Sequence, residues 1–62
     1  MKKSSFKSKS ANTSYRTEII HDVPAADVAG IIQEKSKETG YRTHAILPES
    51  DGEFTLIFVF DD

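Results

Sequence analysis

Near its C-terminus the chain runs Phe54-Thr55-Leu56-Ile57-Phe58-Val59-Phe60. A strand sends alternate side chains to opposite faces, so Phe54, Leu56, Phe58 and Phe60 share one face while Thr55, Ile57 and Val59 share the other. Both faces are largely apolar. A strand covered on one side only would alternate apolar with polar residues, so this segment is expected to lie in the centre of a sheet with cover on each side. That cover has to come from the rest of a chain of 62 residues.

Upstream, Tyr15, Thr17, Ile19 and His21 alternate with Arg16, Glu18, Ile20 and Asp22. The β-branched and aromatic content favours a strand, and its charges suit a sheet edge. Asp22-Val23-Pro24 then predicts a helix start. Asp22 is placed to cap, Pro24 is tolerated in the first turn, and Asp27 adds negative charge near the positive end of the dipole. Ala25, Val28, Ile31, Ile32 and the stem of Lys35 fall on one helical face, with Gln33, Glu34, Lys37 and Glu38 directed to water. Gly30 inside this helix costs about 1 kcal/mol relative to alanine, either to admit a close backbone or because the cost is tolerated. Gly40 suits the left-handed position that ends such a segment. Tyr41–Leu47 reads as a second strand, and Pro48–Glu53 as a polar turn in which Asp51-Gly52 reverses the chain into the phenylalanine-rich strand.

The element order is β-α-β-β. A right-handed helical crossover that skips one position lets the third strand insert between the first two, giving the sheet order 1-3-2 with strand 3 central and antiparallel to both neighbours. The expected fold is α+β, a single domain over residues 14–62 with one helix on one sheet face. Phe54, Leu56, Phe58 and Phe60 form the bulkier set and should meet Val28, Ile31 and Ile32. The other face, with Ile57 and Val59 and with Ile20 and Ile46 from the outer strands, would stay uncovered, as interaction surfaces do. In outline the chain resembles small bacterial and phage βαββ domains of unknown function, in which a helix ends at glycine and an aromatic residue opens the next strand. Gly40-Tyr41 carries that likeness, with Pro48 closing the strand. The resemblance implies a fold and carries no functional residue with it.

Charge is distributed unevenly. Residues 1–17 hold Lys2, Lys3, Lys7, Lys9 and Arg16 and no acid, whereas residues 18–62 hold ten acids against Lys35, Lys37 and Arg42. Residues 1–13, rich in serine and lysine with Phe6 as their one large hydrophobe, are expected to be a disordered basic tail on an acidic body. About fifty folding residues carry a typical stability of only about 2.5–7.5 kcal/mol. With no cysteine to form disulfides or cysteine-based zinc sites, a domain this small is expected to gain stability by self-association. Met1-Lys2-Lys3 is followed by polar residues where a signal peptide would be apolar, and no run approaches a membrane span, so a soluble cytoplasmic protein with no membrane role is expected.

Little in the sequence points to chemistry. His21 and His44 are the two histidines, and neither sits in a zinc-ligating spacing. His21 beside Asp22 offers a base with an orienting carboxylate, but an exposed histidine near a helix cap is the commoner explanation of such a pair. Arg42 and His44 on one strand face read first as a polar sheet surface, with a groove for an anionic ligand in a dimer as the alternative. Gly30, Gly40 and Gly52 are too far apart for a phosphate loop. No enzyme activity, cofactor or metal is expected. The first functional expectation is a small protein-interaction module, a homodimer that acts through Ile20, Ile46, Ile57 and Val59 or through its acids, with a further protein partner as an extension. The second is nucleic-acid binding by Lys2, Lys3, Phe6, Lys7, Lys9 and Arg16, whose lysines and arginine would contact phosphates without reading sequence.

Overall fold

A computed structural model describes residues 14–61 of the chain. Its elements are β1 (Tyr15–Val23), α1 (Ala25–Lys35), β2 (Tyr41–Pro48) and β3 (Phe54–Asp61). They form one sheet of order β1-β3-β2, with β3 antiparallel to both neighbours, as the two apolar faces of β3 require. The expected tail, residues 1–13, and Asp62 lie outside the described residues. Among the described residues no helix is long and apolar enough to cross a membrane.

The core lies between β3 and α1. Leu56, Phe58 and Phe60 are fully buried, joined by Val23, and Val28, Ile31 and Ile32 of α1 pack against them. Antiparallel partners share a face. Leu56 therefore shares its face with Ile20 and Ile46, and Phe58 shares that face with Glu18 and His44. This corrects the expected grouping of Ile20 and Ile46 with Ile57. Both isoleucines lie on the helix side, and Ile20 packs on the core. The open side carries Thr17 and Ile19 of β1, Thr43, Ala45 and Leu47 of β2, and Thr55, Ile57 and Val59 of β3.

Asp22 does not cap the helix. Pro24 occupies the cap position in an extended conformation without a side-chain cap bond, and Asp22 belongs to β1 with φ 62°. The cause is a bulge. Ile20 pairs with Leu56 and Val23 with Phe54, so β1 spends one residue more than β3 over this interval. The extra residue reverses the alternation and brings Val23, rather than Asp22, onto the core side. A left-handed φ is tolerated by aspartate better than by most residues.

Gly40 and Gly30 have opposite standings. Gly40 has φ +87°, its carbonyl accepts the Asp61 N–H at 2.7 Å, and an added Cβ would lie 3.2 Å from the Asp61 carbonyl oxygen. Gly30 has nothing within 4 Å of the place its Cβ would take. No close backbone explains it, so its helical cost stands uncompensated. In urea denaturation Gly30→Ala should therefore raise stability by about 0.5–1 kcal/mol, and Gly40→Ala should lower it by more than that. Equal effects of the two substitutions would contradict this account of the backbone.

Candidate functional site

Among the described residues, the turn end of the sheet and its open face gather accessible polar and apolar groups respectively. At the turn end the β2–β3 connection is tied by the Glu49 N–H donating to the Glu53 carbonyl at 2.8 Å and the Glu53 N–H donating to Asp51 Oδ1 at 3.0 Å. The β1 bulge delivers Asp22 to the same place, where its N–H donates to Glu49 Oε2 at 3.0 Å. Carboxylate oxygens of Asp22, Glu49, Asp51 and Glu53 consequently all lie within 4.8 Å of one another. Oxygen donors so gathered are the type that holds a hard cation.

Within the cluster the carboxylates are not equivalent. The Thr55 hydroxyl donates to Glu49 at 2.5 Å, and this bond, with the Asp22 N–H, holds Glu49 below the ordinary carboxylate range. Asp22 is pushed up, first because its protonated side chain donates to Glu49 and then by the Glu49 charge. Glu53 is pushed up by desolvation and by the charges of Asp51, Asp22 and Glu49. Because Thr55 spends its one proton on Glu49, His21 Nδ1, 3.2 Å from Thr55 Oγ1, must carry a hydrogen and donate it there. His21 thus orients on Thr55, not on Asp22. A threonine whose proton is held by a carboxylate, with a histidine donating to its oxygen, is not arranged as an activated nucleophile.

The other residues expected to form sites are separated. Arg42 and His44 do not form a groove. A register shift between Tyr41 and Thr43 inserts an extra residue there, and the Arg42 guanidinium lies 3.7 Å from Asp61 while His44 Nδ1 shares a 2.6 Å hydrogen bond with the Tyr41 hydroxyl and its ring tilts over Phe58. Arg16 sits 4.4 Å above the Phe60 ring and pairs with Glu18. Stacking of this kind commits the arginine to the core's edge. Lys2, Lys3, Phe6, Lys7 and Lys9 lie outside the described residues. Val59 and Ile57 do share the open face, and the face is larger than those two. Ile19 is 55% exposed and Leu47 46% exposed beside them. Both were legible as alternating strand positions, but the pairing register needed to group them was not.

The two sheet edges differ. Along β1, Glu18 accepts from Lys35 Nζ at 2.6 Å, with Arg16 beside it and the Asp22 bulge beyond. The Lys35 bond holds Glu18 low, and Glu18 in turn raises Lys35. Along β2, Thr43 to Leu47 has neither a charged side chain nor a bulge. Comparison with protein-family models, curated proteins and solved structures finds no match to this chain.

The acid cluster has a signed consequence for stability. A carboxyl raised in the folded state favours folding below its unfolded pKa, and that contribution is lost as pH rises through its folded pKa. Asp22 is such a group, so Asp22→Asn, which keeps a donor to Glu49 and removes the charge, should melt higher than the parent at neutral pH. The gain should disappear in acid, below the ordinary aspartate range, where Asp22 is itself neutral. Glu18→Gln should do the reverse, because a lowered carboxyl contributes above its unfolded pKa and loses that contribution as pH falls. Thermal melts across this range check both signs.

Proposed function

We propose that this chain is a small, non-enzymatic protein-interaction module whose first partner is a second copy of itself. The observation that carries the reading is the uncharged β2 border of the sheet, where exposed Ile46 and Leu47 continue the apolar open face of Ile19, Ile57 and Val59 to an unpaired edge. One helix cannot cover both sides of a sheet whose central strand is apolar on both. Among the described residues only Val23, Leu56, Phe58 and Phe60 are buried. Small cores of this kind are commonly completed by association.

Charge favours a copy of the chain over an oppositely charged partner at this surface. The open side between its ends carries threonine, alanine and aliphatic residues, so two copies meet without juxtaposed like charges. The acids lie at the rim, where they limit indiscriminate association. Catalysis has no support in the arrangement of His21, Thr55 and Glu49 described above.

Light scattering on the full chain and on a chain beginning at Thr13, over a concentration series extending to the millimolar range, tests the reading. Twice the monomer mass in both, with dissociation on dilution, is the expected outcome. A folded monomer throughout would reject self-association. A dimer lost on removing residues 1–12 would move the contact from the sheet to the basic segment.

A further inference from the structure

Resting on the homodimer reading, we infer that the two copies join through their β2 edges in one register, with a twofold axis at Ala45, to make a continuous six-stranded sheet. The argument begins with which backbone groups β2 leaves free. The Glu49 N–H donates to the Glu53 carbonyl, and from there the β2–β3 register runs Pro48 with Phe54, Leu47 with Thr55, Ile46 with Leu56, Ala45 with Ile57, His44 with Phe58 and Thr43 with Val59. Bonded and non-bonded pairs alternate along an antiparallel ladder. Thr43, Ala45 and Leu47 therefore direct their N–H and C=O groups to β3, whereas His44 and Ile46 direct theirs outward from the sheet.

The stretch that can accept another strand is bounded at both ends. The Tyr41–Thr43 bulge closes one end, and Pro48, with no N–H, closes the other. Between them lie five residues without a charge, in contrast to β1 with Arg16, Glu18 and the Asp22 bulge. Unprotected edges of this sort are the ones that pair.

Only one symmetric register uses both outward residues fully. In an antiparallel pair an outward residue must oppose an outward residue. An axis at His44 would set that residue against its own copy and Ile46 against Arg42 in the bulge. An axis at Ile46 would set His44 against the partner's Pro48, which has no hydrogen to donate. An axis at Ala45 sets His44 against the partner's Ile46 and Ile46 against the partner's His44, forming four N–H···O bonds. It also places Thr43 beside the partner's Leu47 on the open side, covering two exposed positions at once. The bulge at Arg42 on one chain then falls opposite the partner's Pro48, so the contact ends at the same point on both chains. The small Ala45 side chains meet at the axis without crowding.

Because the chain contains no cysteine, single introduced thiols report the register directly. Non-bonded antiparallel partners have Cα atoms about 4.5 Å apart, within disulfide reach. Under mild oxidation Ala45→Cys should cross-link with its copy roughly tenfold faster or more than Thr43→Cys or Leu47→Cys alone, because pairing raises the local thiol concentration only at the axis. Copies of Cys at either of those two sites would stand about 13 Å apart. Mixing Thr43→Cys with Leu47→Cys should restore fast cross-linking between the two variants. Equal rates at all three positions, or faster cross-linking of Ile57→Cys than of Ala45→Cys, would overturn the edge register. Light scattering on the unsubstituted chain separates the two failures: a dimeric mass with the wrong cross-linking pattern rejects the β2 edge and leaves the homodimer, whereas a monomeric mass rejects both.

Discussion

The structure depends on the burial of Leu56, Phe58 and Phe60 beneath α1. These three side chains come from one strand and supply most of the fully buried volume. No residue of α1 is itself buried, and its grip on the sheet is through half-buried Val28, Ile31 and Ile32. A helix of eleven residues is marginal by itself in water. The helix therefore exists because the sheet offers it an apolar face, and the sheet exists because β3 has a partner on each side to satisfy its backbone. Placing the bulkiest strand in the centre meets both requirements at once.

Two irregularities on the outer strands convert this simple plan into distinct surfaces. The β1 bulge turns Val23 into the core and leaves Asp22 against Glu49, so a core contact and an acid cluster arise from one inserted residue. The β2 bulge places Tyr41 edge-on to Phe60, sends Arg42 toward Asp61 and leaves His44 on the helix side with Tyr41. Neither strand could do this with regular alternation, because every residue beyond the shift would point to the other face. The consequence is an asymmetry of edges, one laced with charges and one whose residues 43–47 carry none.

The order of elements and the centrality of β3 were legible from residues 54–60, since periodicity reports which faces are apolar. Gly40 and Asp51-Gly52 were legible for the same kind of reason: a left-handed backbone demands particular residue types. Periodicity carries no register, however, which is why Ile20 and Ile46 were assigned to the face of Ile57 rather than to that of Leu56. Asp22 misled because an aspartate ahead of Val-Pro is a sound capping pattern, and only the pairing of Val23 with Phe54 shows that the chain is still a strand there. The gathering of Asp22 with Glu49, Asp51 and Glu53 had a partial signal in the acidic turn. Its fourth member arrives by a bulge that no local pattern announces.

The composition of the open face bears on how firmly two copies would hold. Threonines at 17, 43 and 55 punctuate the aliphatic residues, so the face tolerates water in the free chain, and the outward backbone groups of His44 and Ile46 are solvated there. Forming the edge contact exchanges those water bonds for protein bonds, an exchange whose net gain is only about 0.5–1.5 kcal/mol per bond. The burial of Ile46 and Leu47 against a neighbouring strand has to supply much of the remainder, and it must also offset the loss of translational freedom. An association built this way is reversible and governed by concentration. Separated copies would each keep the small core of Leu56, Phe58 and Phe60 beneath α1.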